Sequence, residues 1–198
     1  MSGTDTGDAG GMRAREGFGV LERGDTEVTL RFVRRLPHPP EKVWRALTEP
    51  AHLAAWFPTT IEGELAAGSR LRFSFMQAQV PSFDGTMLAF DPPALMELIW
   101  GDERLRFELT PDGAGTLLTF TASFAEVDRA ARDGAGWHVC LDLLGHDLGD
   151  AVAPWNQGDR WRAVHAEYVA RFGPEAATVG PPAGLEPGKQ TSGDSRLS

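Results

Sequence analysis

The chain has 198 residues and a formal net charge of −9 at pH 7. This acidic balance argues against a nucleic-acid-binding surface, which normally carries net positive charge, and against adhesion to anionic lipid. A single cysteine, Cys140, rules out a disulfide bond within the chain and fits a reducing compartment. The sequence shows no signal peptide and no apolar stretch near the roughly 20 residues that a membrane helix requires. We therefore expect a cytoplasmic protein that binds neither nucleic acid nor membrane.

One domain with two tails is the predicted organisation. Residues 1–17 and 174–198 are rich in glycine, proline and small polar residues, and such segments bury too little apolar surface to fold alone. All six tryptophans and all eleven phenylalanines lie in residues 18–173, a length that suits one domain with a substantial core. We predict disordered tails at 1–17 and 174–198 around a domain at 18–173.

The first predicted elements are a hairpin and two short helices. Residues 18–22 and 27–36 resemble two strands, and the longer one has apolar residues at a period of two. Prolines at 37, 39 and 40 end this strand, and a proline in the first turn suits a helix start. The helical segment breaks before Pro50, because the residue that precedes a proline avoids the helical region. A second short helix then ends at Trp56-Phe57.

From Thr59 to Phe124, segment after segment alternates between apolar and polar residues. This period is typical of antiparallel strands with one face in the core and the other in water. Basic residues at outward positions are expected to be solvated, with Glu97 and Glu108 as cross-strand partners that add little stability. The inward faces need a cover, which the later helices must supply.

A long helix is predicted at Gly136–Leu148, and it could lie across the sheet. Its apolar stripe at helical spacing is formed by Trp137, Cys140, Leu141, Leu144 and Leu148. His138, Asp142 and His146 lie off this stripe at a spacing of four residues and could offer a metal two or three ligands. No further ligand is evident, so we interpret these three residues as a solvated helix face and predict no metal.

An extra helix is predicted at about 158–172, and its apolar face could pack on its own domain or on a second copy. This face carries Trp161, Val164, Tyr168 and Phe172. We expect the helix to lie outside the main unit. A homodimer is therefore one possible assembly.

Three motifs, in a fixed order, carry a resemblance to a known family. They are Pro39-Pro40-Glu41-Lys42-Val43-Trp44 with Leu47-Thr48-Glu49-Pro50 and Trp56-Phe57; Gly85 with Asp91-Pro92-Pro93 and Trp100; and Gly115-Thr116 with Gly136-Trp137-His138-Val139-Cys140-Leu141. Over residues 26–148 the chain resembles the Hsp90 ATPase activator C-terminal-domain-like family of the START/Bet v 1-like (SRPBCC) superfamily. The family usually has Gly-Gly where this chain has Ala67-Gly68.

The resemblance implies an α+β helix-grip fold, in which a curved antiparallel sheet wraps around a long C-terminal helix and two short helices follow the first strands. It also implies a cavity between the sheet and the long helix, the default place for a ligand. By alternation, the walls of this cavity would be Trp56, Phe57, Phe73, Phe75, Met87, Met96, Trp100, Phe107, Phe120, Trp137, Cys140 and Leu144.

Catalytic groups are not evident in the sequence, and we predict neither a catalytic residue nor a cofactor. Glu97 and Glu108 fall on the polar side of the strands, so inward carboxylates are lacking. Cys140 lies in the apolar stripe, where burial raises the pKa of a thiol and makes it inert. His52 is placed near the Trp56-Phe57 edge, where it could act at a cavity mouth, although we favour a surface histidine.

Three functions follow from these expectations. The leading hypothesis is a protein that binds a small apolar or aromatic ligand in the cavity. The second is a co-chaperone-like module that uses the outer sheet face or the Trp56-Phe57 edge to bind a protein partner. The third is an enzyme related to polyketide cyclases and aromatases, which would need a polar group that projects into the cavity.

Overall fold

A computed structural model of the protein describes residues 17–75, 80–149 and 151–182. The strands within these ranges are β1 (Val20–Arg23), β2 (Val28–Leu36), β3 (Thr59–Glu62), β4 (Arg70–Phe75), β5 (Phe83–Asp91), β6 (Leu95–Trp100), β7 (Glu103–Asp112) and β8 (Gly115–Phe124). The helices are α1 (Pro40–Thr48), α2 (Pro50–Trp56), α3 (Ala130–Leu148) and α4 (Gln157–Phe172). No described helix combines the length and apolar character that a membrane crossing requires.

The strands form one antiparallel sheet in the order β1-β2-β8-β7-β6-β5-β4-β3. Alternation sets which face is buried, and the strand registers align the buried residues into rows across the sheet. In one such row, Phe32 pairs with Phe120, Phe120 with Phe107, and Phe107 with Met96. All four side chains are buried. The sheet and the helices on its inner face make the predicted α+β helix-grip fold.

Two prolines define the short helices. Helix α1 begins at Pro40 and α2 at Pro50, because a proline in the first turn loses no hydrogen bond. The turn between them is fixed by Trp56, whose indole N–H donates to the Ala46 carbonyl over 2.8 Å. Trp56 and Phe57 are each only 3% exposed. The Trp56-Phe57 edge proposed as a protein-binding surface is therefore part of the core.

Helix α3 is longer than predicted and is covered on two sides. It starts at Ala130 rather than Gly136, and small residues fill its first half. A Cβ added at Gly134 would lie 3.5 Å from the rings of Tyr168 and Phe172, so α4 packs closely on this side. On another side, the Trp137 ring contacts Phe120, with ring centroids 5.0 Å apart.

Helix α4 belongs to the core, and the expectation that it lies outside the main unit is wrong. Tyr168 is fully buried, and Trp161 and Val164 are nearly so. These side chains pack within their own chain, so they do not form an exposed face for a second copy.

The predicted C-terminal tail also begins too early. Residues Pro174–Ala176 form a 3-10 turn, Ala176 is fully buried, and the Val179 N–H donates to the Asp128 carbonyl over 3.1 Å. The tail predicted at 174–198 therefore includes a segment that packs on the domain as far as residue 182. Residues 183–198, and 1–16 of the N-terminal tail, lie outside the described residues.

Candidate ligand site

Most of the side chains expected to line a cavity fill the interior instead. Phe107 and Phe120 are stacked with ring centroids 4.6 Å apart, and Trp56 contacts Phe107 at 6.1 Å. These ring contacts show that the side chains pack on one another and form a close-packed core. The expected wall residues that are buried in this way are Trp56, Phe57, Phe73, Met87, Met96, Phe107, Phe120 and Leu144. Phe75 is half-buried, and its ring contacts the ring of Trp100, with centroids 5.9 Å apart.

An open pocket of about 210 Å³ lies at one end of this core, beside the first half of α3. It is bounded by the loop after α2, the β6–β7 turn, α3, α4 and the C-terminal segment. The lining residues are Pro58, Trp100, Glu103, Arg132, Asp133, Gly136, Trp137, Cys140, Trp161 and Pro182. Three of the twelve predicted wall residues, Trp100, Trp137 and Cys140, are among them.

Three tryptophans line this pocket, which we call the tryptophan pocket. The Trp100 and Trp137 rings meet edge to face, with centroids 5.6 Å apart. Their indole N–H groups are both used inside the protein: Trp100 donates to the Thr59 hydroxyl over 3.1 Å, and Trp137 donates to Glu103 over 3.2 Å. The third ring, Trp161, comes from α4 and stacks on His165 at 4.5 Å. These two hydrogen bonds hold the Trp100 and Trp137 rings in fixed orientations at the pocket wall.

Glu103 is the main polar group that the sequence interpretation missed. It is the first residue of β7 and only 5% exposed. Burial and, to a smaller extent, the nearby negative charge of Asp133 raise the pKa of its carboxyl to about 7, against the opposing effects of Arg129 and the Trp137 hydrogen bond. The conclusion that the chain lacks inward carboxylates is therefore wrong. A signal was present, since positions 103, 105, 107 and 109 share one face of a strand.

Glu103 belongs to a group of buried charges that we call the Glu103 cluster: Glu103, Arg129, Arg132 and Asp133. Arg132 donates to Asp133 over 2.7 Å. Arg129 lies 3.1 Å from Asp133 and 3.7 Å from Glu103, yet its Nε and Nη2 atoms make no hydrogen bond within the described residues. Burial raises the pKa of Asp133, with Arg132 and Arg129 opposing the shift. The cluster is thus tightly packed but incompletely hydrogen-bonded.

Cys140 lines the same pocket without taking part in this cluster. Burial raises the pKa of its thiol to about 12. A thiol in this state is a poor nucleophile, because the thiolate is the reactive form. Its contribution to the pocket wall is apolar, as the sequence interpretation expected.

A second buried polar group lies between α3 and α4, and we call it the His138 cluster: His138, Asp142, Arg160 and Tyr168. His138 is 2% exposed, which contradicts the prediction of a solvated helix face. Its Nδ1 lies 3.0 Å from the Tyr168 oxygen and its Nε2 lies 3.1 Å from Arg160. Because arginine can only donate, Nε2 accepts, and the ring proton is on Nδ1. The cause of the error is α4, which covers this side of α3.

The His138 cluster makes further hydrogen bonds within the protein, although Asp142 and Arg160 are partly exposed and Asp142 lines a second pocket of about 290 Å³. The Tyr168 oxygen also accepts from the Gly19 N–H over 2.8 Å, and Arg160 donates twice to Asp142, over 2.9 and 2.7 Å. Burial lowers the pKa of His138 to about 4, so the ring is neutral near pH 7. In the part of the chain that the structure describes, no three His, Cys, Asp or Glu side chains are arranged to hold a metal ion.

His52 does not line the tryptophan pocket. Its Nδ1 lies 2.8 Å from the Asp147 carboxylate, and its side chain is 39% exposed. It therefore joins α2 to the last turn of α3 as a surface histidine, which is the interpretation favoured from the sequence.

Comparison with known proteins agrees with this fold. The model of the family described as Activator of Hsp90 ATPase homolog 1-like protein matches residues 37–149, more than half of the chain. A comparison with curated proteins gave no match. Among solved structures, the conserved protein of unknown function EF2215 from Enterococcus faecalis is similar with a TM-score of 0.66 and 20% identity, over 78% of this chain and 90% of that one.

Two further solved structures share the fold. CalU16 from Micromonospora echinospora has a TM-score of 0.62 and 21% identity, over 78% of this chain and 96% of that one. The protein encoded by BPP1335 from Bordetella parapertussis has a TM-score of 0.60 and 26% identity, over 80% of this chain and 93% of that one. The sequence motifs, the helix-grip fold and the match over residues 37–149 lead to one conclusion: the chain belongs to the Activator of Hsp90 ATPase homolog 1-like family.

Proposed function

We propose that this protein binds a small molecule with an aromatic or apolar ring in the pocket at the end of its core. The observation that carries the proposal is the convergence of Trp100, Trp137 and Trp161 on one open pocket. Ligand sites are typically concave and mostly apolar, with a few polar groups that fix orientation. The tryptophan rings supply the first property, and Glu103 supplies the second.

The size of the pocket limits the ligand. At about 210 Å³ it is smaller than the roughly 300–1,000 Å³ of a drug-sized site. A single ring with a short substituent suits this volume better than a fused polycycle or a lipid chain. The filled interior supports the same limit, because Phe107 and Phe120 close the way deeper into the core.

Two glycines of α3 allow a matched test. A Cβ added at Gly136 or at Gly145 would meet nothing within 4 Å, so a side chain can start from either position without a clash. Gly136 lines the tryptophan pocket, whereas Gly145 lies two turns further along the same helix, outside it. Gly136→Phe therefore fills the pocket, and Gly145→Phe changes the same helix by the same chemistry elsewhere.

Native mass spectrometry of freshly purified protein, before and after denaturation, is the first measurement. We expect wild type and Gly145→Phe to carry a small bound mass that denaturation releases, and Gly136→Phe to lack it. Titration of ring compounds against tryptophan fluorescence should show the same pattern. A bound mass that survives Gly136→Phe would contradict this location for the site. Bare protein that binds no ring compound would contradict the function.

A second candidate function is an enzyme related to polyketide cyclases and aromatases, and Glu103 is the observation that favours it. A general acid or base works best when its pKa is near the operating pH, and the pKa of Glu103 is raised to about 7. Here Glu103 takes the role that the sequence interpretation gave to His52. Turnover of a bound compound that is lost in Glu103→Gln, with binding retained, would support the enzyme. Unchanged turnover in this variant would exclude Glu103 as its acid or base.

A further inference from the structure

We infer that the ligand of this pocket carries a positively charged nitrogen next to its ring, and that Glu103 is the residue that selects for this charge. The inference rests on the proposed function, since it names the chemical class of ligand for the same pocket. It is argued from the hydrogen-bond partners, the balance of charge and the aromatic surface around Glu103.

At Glu103 the pocket offers a hydrogen-bond acceptor to a ligand that donates. The N–H groups of Trp100 and Trp137 already donate to Thr59 and Glu103, so neither indole is left to bind an acceptor on the ligand. Arg132 also lines the pocket, and its Nε donates to Asp133. The Glu103 carboxylate accepts the Trp137 bond at one oxygen, and its other oxygen is 3.7 Å from Arg129, beyond hydrogen-bond distance. This second oxygen has the capacity to accept from a ligand.

The charges around the pocket do not balance. Three carboxylates, those of Asp102, Glu103 and Asp133, are grouped with two guanidinium groups, those of Arg129 and Arg132. Both arginines lie within 3.1 Å of Asp133, and Arg129 lies 3.0 Å from Asp102. Glu103 therefore has the longest ion contact of the three and is the carboxylate whose charge is least compensated. A ligand cation at this point would supply the missing charge.

The aromatic walls favour the same ligand. The faces of indole rings attract cations because the ring quadrupole is negative there, and tryptophan is the strongest of the side chains in this respect. An ammonium group held between the Glu103 carboxylate and the indoles of Trp100 and Trp137 would meet negative potential on both sides. A carboxylate or phosphate in the same place would meet the buried carboxylate of Glu103.

Several other titratable groups surround Glu103, and its own pKa of about 7 places its change of charge near neutral pH. Asp102 comes from the β6–β7 turn, and Asp128 and Arg129 come from the 3-10 turn before α3. Arg132, Asp133 and Cys140 come from α3, and His165 reaches the site through Trp161 on α4. Cys140 stays a thiol because its pKa is raised to about 12, and burial lowers the pKa of His165, which keeps that ring neutral at pH 7. Cation binding should strengthen as Glu103 loses its proton.

Three probes of matched shape test this: phenethylamine, 2-phenylethanol and phenylacetate, which differ in charge. Binding to the full chain is measured by tryptophan fluorescence at pH 6 and pH 8, where the amine stays protonated. At pH 8 we expect phenethylamine to bind about tenfold more tightly than 2-phenylethanol, because a charged hydrogen bond and a cation–π contact are added. Its affinity should fall by roughly tenfold at pH 6, as Glu103 gains a proton.

Glu103→Gln keeps the shape of the side chain and removes its charge. In this variant phenethylamine should bind no more tightly than 2-phenylethanol and should lose its pH dependence. Glu108→Gln is the matched control, since Glu108 lies on the same strand but bonds Arg106 away from the pocket. It should change each affinity by less than about twofold, as expected for a surface charge.

The outcomes separate this inference from the proposed function. Equal affinity for the three probes, or tightest binding of phenylacetate, would overturn the inference. If Gly136→Phe still abolished that binding, the pocket would remain a ligand site. A preference for phenethylamine that persists in Glu103→Gln would also overturn the inference. Failure of all three probes to bind, together with no bound mass in the purified protein, would overturn both.

Discussion

The Glu103 cluster and the His138 cluster lie on different sides of the same helix, and they differ in how completely the protein satisfies their hydrogen bonds. Both are buried, and both contain a group whose pKa burial has displaced. In the His138 cluster every member has a hydrogen-bond partner from the protein, and α4 covers it. In the Glu103 cluster Arg132 donates to Asp133, but two nitrogen atoms of Arg129 have no hydrogen-bond partner among the described residues, and the cluster borders the tryptophan pocket. Burial of a polar group alone therefore does not indicate function.

The two clusters also respond to pH in opposite ways. The pKa of His138 falls from 6.5 to about 4 on folding, so His138 contributes stability above pH 6.5 that is lost as pH falls toward 4. The pKa of Glu103 rises from 4.5 to about 7, so its ionised form opposes folding above pH 7. That cost disappears as pH falls toward 4.5. In the wild type the two effects partly cancel between pH 4.5 and 6.5.

The largest expected effect on stability comes from replacing His138, the central residue of the His138 cluster. His138→Ala should lower the free energy of unfolding by about 3 kcal/mol at pH 8, because it creates a cavity and removes one hydrogen-bond partner each from Tyr168 and Arg160. Urea denaturation measures this cost, which should shrink as the pH is lowered toward 4. His146→Ala, on the same helix but only half-buried, should cost less than about 1 kcal/mol. Equal costs for the two variants would contradict the assigned role of His138.

In the Glu103 cluster, we expect a substitution to stabilise the protein. Glu103→Gln should raise the free energy of unfolding by about 2 kcal/mol at pH 8, because the buried charge is removed. The gain should vanish below pH 4.5, where Glu103 becomes protonated in the unfolded state as well. Urea denaturation at the two pH values checks this difference. Destabilisation by Glu103→Gln at pH 8 would show that the ionised carboxylate is well paired, and the contrast between the clusters would be lost.

A smaller effect isolates the hydrogen bonds of the His138 cluster from its packing. Tyr168→Phe keeps the buried ring and removes the oxygen that accepts from Gly19 and contacts His138. We expect a loss of about 1.5 kcal/mol, the usual cost of buried groups left without a partner. Thermal denaturation gives this value, and hydrogen exchange at the Gly19 amide should become faster. Unchanged protection of that amide would contradict the bond.

The smallest effect is expected at His52. His52→Asn removes the ion pair with Asp147, and since the histidine is 39% exposed the loss should be below about 0.5 kcal/mol. Ligand binding should be unchanged, because His52 does not line the pocket. A loss of binding measured by fluorescence would extend the site toward the start of α2.

The sequence predicted the sheet and the short helices because these depend on local signals. Alternation marks the strands, and Pro40 and Pro50 mark the helix starts. The position of α4 depends on a different kind of information, since the face with Trp161 and Tyr168 could bury itself in either of two ways. Only the folded chain shows that α4 covers His138, which is why a buried histidine was interpreted as an exposed one.

Only part of the pocket wall could be predicted from the sequence, again because packing between elements is not contained in the local pattern. Trp100, Trp137 and Cys140 follow from the inward faces of a strand and a helix, whereas eight of the other nine wall residues fill the interior and Phe75 is half-buried. Whether two inward side chains touch depends on distances between elements, which the pattern does not contain. Glu103 is different, since its register with Leu105 places it inside. The sequence interpretation missed Glu103 because Gly101 and Asp102, directly before it, mark a turn.

The pocket has an inner and an outer wall of different origin. Trp100, Glu103 and Trp137 lie within residues 37–149, the segment that the family shares, whereas Trp161 and Pro182 lie after it. The inner wall is tied to the hydrogen bonds and packing that hold the sheet to α3. The outer wall comes from α4 and the segment after it. The ligand proposed for this pocket would therefore contact residues that lie beyond the segment by which the family is recognised.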